Sequence, residues 1–134
     1  AMPQSKTIML VEDDRRVSLA LTLRLKAAGY SVITAQDAPT ALMAARTRDP
    51  DLVLLDISLP GGDGISVAES LRAGECSNQV PIIFITASSQ EGLQESAERL
   101  NAVAFLRKPF HARNLMTAID TALHGPKPLV QASA

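Results

Sequence analysis

Six side chains in this 134-residue sequence invite chemistry by type and position: Glu12, Asp13 and Asp14 in a row, then Asp56, Thr86 and Lys108. Each lies at the exit of a short apolar run. Ile8-Met9-Leu10-Val11 leads into the three acids, Leu52-Val53-Leu54-Leu55 into Asp56, Ile82-Ile83-Phe84-Ile85 into Thr86, and Ala104-Phe105-Leu106 into Arg107-Lys108-Pro109. Asp56 alone is ambiguous, because a loop-entry Asp is common. A carboxylate at the mouth of a buried strand nevertheless needs cations, donors or water around it. Asp13 or Asp14 also has a plain structural use, as the cap of the helix that begins near Arg15. That explains one or two of the acids and leaves the third without a role. If the exits converge, Glu12, Asp13 and Asp56 repel one another unless a cation neutralises them. Oxygen ligands without nearby His or Cys favour a hard ion such as Mg²⁺, which keeps several waters and completes its shell with phosphate oxygens. Lys108 adds a second positive charge and Thr86 a hydroxyl able to donate to an oxyanion. Metal, ammonium and hydroxyl around one carboxylate describe a phosphoryl site, with attack of an Asp oxygen on phosphorus as the natural step.

Convergence of the exits depends on the elements that carry them. The apolar runs at 6–11, 31–35, 52–56, 81–86 and 102–106 read as five short strands, several buried on both faces. Between and after them the spacing predicts five helices. The first, from Arg15 to Ala28, carries Val17, Ala20, Leu21, Leu25 and Ala28, with Leu19 and Leu23 widening the stripe, and ends at Gly29. The second starts at Asp37 and Pro39, shows Leu42, Met43 and Ala45, and stops at Asp49-Pro50. The third follows Asp63 and carries Ile65, Ala68 and Leu71. The fourth carries Leu93, Ala97 and Leu100 and suits an αL end at Asn101. The last shows Leu115, Ala118, Ile119, Ala122 and Leu123 and ends at Gly125. Strict βα alternation implies an α/β fold: a doubly wound (βα)5 parallel sheet with helices on both faces. All strand exits then share one edge, where ligands bind in such sheets.

Composition narrows the setting. The 46% hydrophobic fraction is dispersed, with no run of about 18 apolar residues to span a membrane, and the opening residues lack a signal-peptide pattern. Thirteen basic and fourteen acidic residues give a net charge of −1 and no general pull towards nucleic acid. A single cysteine, Cys76, excludes an intrachain disulfide and fits a reducing, cytoplasmic setting. Ala1 before Met2 reads as an expression scar. The expected organisation is an extension over 1–5, one domain over 6–124, and a flexible tail or linker over 125–134.

From Thr7 to Leu123 the sequence resembles the receiver domains of two-component response regulators, which share the flavodoxin-like fold. Val11-Glu12-Asp13-Asp14 is similar to the acidic pair after the first strand, and Leu55-Asp56-Ile57-Ser58-Leu59-Pro60-Gly61 to the phosphoacceptor loop. Thr86-Ala87 matches the switch hydroxyl segment, and Phe105-Leu106-Arg107-Lys108-Pro109-Phe110 the switch aromatic and Lys-Pro turn. The resemblance implies that Asp56 accepts phosphate from a histidine kinase, a histidine phosphotransfer protein or a small phosphodonor. It implies that Glu12 or Asp13 holds Mg²⁺ directly or through water, with Asp56 and the Ser58 backbone carbonyl as further ligands. Lys108 and the Thr86 hydroxyl would contact phosphoryl oxygens. Thr86 and Phe105 would relay the change to the surface of the fourth helix, fifth strand and fifth helix, where some relatives form homodimers.

The sequence departs from the family pattern in three places. Phe105 replaces the commoner Tyr, Ser58 is small and neutral, and apolar Val103 weighs against the charged dimer face of the winged-helix subfamily. Among enzymes, haloacid dehalogenase-type phosphatases also use an Asp nucleophile, but they carry a second Asp two positions on, where this chain has Ser58. A nucleotide-binding module is disfavoured because Gly61-Gly62-Asp63-Gly64 is not a G-x-G-x-x-G and no Walker motif is present. His111 and His124 read as solvent-facing or helix-capping residues.

Overall fold

The computed structural model describes residues 5–74 and 79–125. Expectations for the chain start, for Cys76 and for the segment after Gly125 lie outside those residues. Five parallel strands, β1 (Thr7–Val11), β2 (Ser31–Ala35), β3 (Leu52–Asp56), β6 (Ile82–Thr86) and β7 (Ala104–Arg107), form one sheet in the order β2-β1-β3-β6-β7. The helices are α1 (Arg15–Ala27), α2 (Ala38–Arg48), α3 (Gly64–Ala73), α4 (Leu93–Arg99) and α5 (Ala112–His124). Between β3 and α3 a small antiparallel hairpin, β4 (Ser58–Leu59) and β5 (Gly62–Asp63), stands outside the main sheet. The expected α/β architecture is present, and the strand order reverses between β1 and β3.

Strand alternation divides the core into two layers. Met9, Val11, Val53, Leu55, Ile82 and Phe84 face α2, α3 and α4, whereas Ile8, Leu10, Leu52, Leu54 and Ile83 face α1 and α5. β1, β3 and β6 are buried on both sides, which is why they read as unbroken apolar runs.

The helix ends carry the local signals that place them. Asp14 caps α1 by accepting from Arg16 N and Val17 N. Asp37 caps α2 through Thr40 N, and Asp63 caps α3 through Ser66 N. Asp49 and Asn101 end α2 and α4 in the left-handed region.

Three expectations need correction. Leu19 and Leu23 are 61% and 60% exposed, and Met43 is 67% exposed, so the apolar faces of α1 and α2 are narrower than the spacing implied. In α1 only Leu25 is fully buried, because the helix meets the sheet along one line of contact. The fifth strand begins at Ala104 rather than Ala102, since Ala102 N and Val103 N bond to Ala97 O and Ile82 O in a connecting turn. The two histidines lie as expected, exposed at the ends of α5: His111 occupies the N-cap position without a side-chain capping bond, and His124 stands 3.9 Å from Asp120.

Candidate functional site

The site lies at the carboxyl edge of the sheet, beside the strand-order reversal. β1 delivers Glu12, β3 delivers Asp56, and the turn after β7 delivers Lys108. Glu12 and Asp56 are 1% and 4% exposed, and Thr86 is fully buried. Lys108 Nζ donates to Glu12 Oε1 at 2.5 Å and to Asp56 Oδ2 at 3.0 Å. The other oxygen of each carboxylate is also held: Asp56 Oδ1 accepts from Ser58 N at 3.0 Å, and Glu12 Oε2 from Asp14 N at 3.1 Å. One cation thus bridges two buried acids brought from residues 52 and 96 positions away.

Asp13 is exposed at the rim, yet one of its oxygens lies within 4.8 Å of ligand oxygens from Glu12 and Asp56. Three carboxylates against a single ammonium leave an excess of negative charge. Burial pushes the Glu12 carboxyl up to about 7. Hydrogen bonds from Lys108 and Asp14 N lower it, while the neighbouring Asp56 raises it further. Burial would lower Lys108, but its bonds to Glu12 and Asp56 outweigh that and hold the ammonium above its ordinary value. A donor set of oxygens with uncompensated charge fits a hard divalent cation.

The loop carrying Asp56 is fixed from three sides. Ile57 N donates to Ile85 O at 3.2 Å, and Gly64 N to Ile57 O at 2.7 Å. Ala38 N donates to Pro60 O at 3.1 Å, tying the hairpin to the start of α2. Gly61 turns the hairpin with φ +75° and lies against the ring of Pro39. Gly64 packs so closely under the strand exit that a Cβ would fall 2.3 Å from Asp56 O.

Thr86 ends β6 with Oγ1 accepting from Ser88 N at 2.9 Å, and its carbonyl accepts from Lys108 N at 2.7 Å. That second bond links the Thr86 and Lys108 exits through backbone. Phe105, half-buried, pairs in register with Phe84 and packs on the core beneath α2, α3 and α4. The structure therefore gathers Glu12, Asp13, Asp56, Lys108 and the Ser58 amide into one cluster. Thr86 stands at the adjoining exit, and Phe105 lies further down the neighbouring strand. The close fit at Gly64 and the backbone clasp from Ala38 were not anticipated; only the glycine-rich run 61–64 signalled them.

Residues 8–120 match the response regulator receiver domain family, and the chain belongs to that family. It is 32% identical over 123 residues to the phosphate regulon transcriptional regulatory protein PhoB of Pseudomonas aeruginosa, covering 92% of this chain and 54% of that protein. With the alkaline phosphatase synthesis transcriptional regulatory protein PhoP of Bacillus subtilis it shares 35% identity over 119 residues, 89% of this chain and 49% of that one. The chain spans about half the length of these curated relatives. The receiver domain of the sensor histidine kinase PA1611 from Pseudomonas aeruginosa superimposes with a TM-score of 0.81 at 30% identity, covering 90% of this chain and 98% of that one. That structure has a magnesium ion coordinated in its active-site cleft. The family match decides for a receiver over a haloacid dehalogenase-type phosphatase.

Proposed function

We propose that Asp56 is the phosphoacceptor of this receiver, taking a phosphoryl group from a histidine kinase, a histidine phosphotransfer protein or a small phosphodonor. The observation that carries this is the Asp56 carboxylate itself: buried at the end of β3, with Oδ1 on Ser58 N, Oδ2 on Lys108 Nζ, and two further acids within reach. Glu12, Asp13 and Asp56, with the Ser58 backbone carbonyl, would hold Mg²⁺. Bound there, the ion would offset the negative charge shared by the carboxylates and the incoming phosphoryl oxygens.

Each protein group then has a defined task. The hydrogen bond from Ser58 N orients Asp56 so that a carboxylate oxygen attacks phosphorus as the bond from phosphorus to the donor breaks, to nitrogen in a phosphohistidine or to the carboxylate oxygen that leaves an acyl phosphate. Lys108 passes from the free carboxylate to a phosphoryl oxygen and keeps its bond to Glu12. The Thr86 hydroxyl donates to another phosphoryl oxygen, and its inward shift frees Phe105 to rotate. The phosphoryl group, carrying about −1.5 to −2 in place of the single charge of the Asp56 carboxylate, thereby alters the surface of α4, β7 and α5, which is the candidate face for a homodimer. Ser58, small and exposed, leaves water a path to the acyl phosphate, so the domain assists its own dephosphorylation as well as its phosphotransfer. The reading places the domain in the cytoplasm and assigns it no direct contact with nucleic acid. Among the described residues no helix is long and apolar enough to cross a membrane.

Beryllofluoride, a phosphoryl mimic, tests the assignment. With Mg²⁺ it shifts the amide resonances of Asp56, Thr86 and Phe105 in the wild-type protein and leaves Asp56→Asn unchanged. Absence of a Mg²⁺-dependent shift in the wild type, or an equal shift in Asp56→Asn, overturns it.

A further inference from the structure

Arg107 joins the two residues to which the switch is assigned. It follows Phe105 by two positions, so both side chains share one face of β7, and it pairs in register with Thr86 of β6. Its guanidinium lies 5.8 Å from the centroid of the Phe105 ring. Its Nη1 donates to Ser88 O at 2.8 Å. The amide of that same Ser88 donates to Thr86 Oγ1 at 2.9 Å. Ser88 is thus held at one end by Thr86 and at the other by Arg107.

The helix that follows is fastened unequally. At its C-terminal end Arg72 of α3 donates to Leu100 O at 2.8 Å and to Val80 O at 2.6 Å. At its N-terminal end Gly92 offers no side-chain cap, and Ser89, Gln90 and Glu91 are exposed. Arg107 supplies the side-chain hydrogen bond that reaches this loop from another strand.

We infer that Arg107 is a positioning residue that latches the loop between β6 and α4 in the arrangement of the unmodified domain, and that its release is a step in the switch. The inference rests on the receiver reading of Asp56 and Thr86. Both Asp56 oxygens carry the bonds of a free carboxylate, to Ser58 N and Lys108 Nζ, so the loop geometry seen here accompanies unmodified Asp56. When Thr86 shifts towards a phosphoryl group, Ser88 travels with its hydroxyl and the bond from Arg107 to Ser88 O stretches. When Phe105 rotates, the guanidinium loses the ring it lies on. Both motions break contacts of the same side chain, so Arg107 opposes them together. A latch that favours one of two states lowers the apparent affinity of any ligand for the other.

Calorimetric titration of beryllofluoride with Mg²⁺ present, on wild type, Arg107→Met and Arg107→Lys, separates a latch from a plain charge. Removing a cation from the edge that binds an anion weakens binding on electrostatic grounds alone. Removing a latch worth one hydrogen bond tightens it by roughly two- to tenfold. The expected result is tighter binding by Arg107→Met, with Arg107→Lys, which keeps the charge and one donor, nearer to wild type. Faster amide exchange at Ser88 and Gln90 in Arg107→Met is expected alongside. Affinity in Arg107→Met equal to or weaker than wild type overturns the latch while leaving the Asp56 reading in place. Failure of the wild type itself to bind overturns both.

Discussion

Alanine at position 64 should injure the site more than its size suggests. A Cβ on Gly64 would stand 2.3 Å from Asp56 O and 2.7 Å from Ile57 Cα, both backbone atoms of the strand exit, so no side chain can rotate aside. Reaching the 3.4 Å of ordinary contact needs a displacement of about 1 Å between α3 and the end of β3. Overpacking of this kind costs about 1–3 kcal/mol, which for a domain of this length lowers Tm by roughly 3–12 °C. Moving Asp56 by about 1 Å also costs up to on the order of 100-fold at a reacting centre. Without the clash the sign reverses, because Gly to Ala at a compatible backbone position stabilises by about 0.4–1 kcal/mol through the unfolded chain. Thermal unfolding followed by circular dichroism, together with the rate of modification by acetyl phosphate and the beryllofluoride affinity, reads both effects. A Tm at or above wild type with unchanged affinity would refute the close-packing argument.

Three further predictions follow from the same geometry. Lys108→Ala frees Glu12 and Asp56 of their shared cation, so calorimetry should show tighter Mg²⁺ binding together with loss of beryllofluoride binding; weaker Mg²⁺ binding would contradict the shared-cation account. Thr40 N holds the Asp37 carboxyl below its ordinary 3.8, so this cap stabilises the fold above that pH and loses its effect as pH falls through the lowered value. The difference in unfolding midpoint between wild type and Asp37→Ala should therefore be present at neutral pH and shrink in acid. Leu25→Ala should cost about 2–5 kcal/mol in denaturant unfolding, whereas Leu19→Gln or Leu23→Gln should stay within about 0.5 kcal/mol; equal costs would mean the exposed face of α1 is misplaced.

The sequence revealed the parts of this molecule whose signal is local. Strands buried on both faces show as apolar runs, and the caps at Asp37, Asp63 and Asn101 show as single residues at helix ends. The strand exits then follow from topology, since a parallel sheet sends every exit to one edge. What escaped depends on distance or on breadth of contact. The spacing of Leu19, Leu23 and Met43 is compatible with a broad apolar face, and only the docking of α1 and α2 shows the face to be narrow. The β4–β5 hairpin is two residues per strand around Pro60 and Gly61, too short for any periodicity to register. Arg72 reads as a fading helix end, but its partners Leu100 and Asn101 are 28 and 29 residues away. Arg107 likewise meets Ser88 only because β6 and β7 are neighbours.

Mass spectrometry of the protein incubated with acetyl phosphate and Mg²⁺ bears most directly on Asp56. The expected result is a single phosphoryl addition, stable in acid, labile in base, mapped to Asp56, and absent from Asp56→Asn and from samples with the metal chelated. No addition under these conditions, or an addition that persists in Asp56→Asn, would contradict the assignment of Asp56 as the phosphoacceptor.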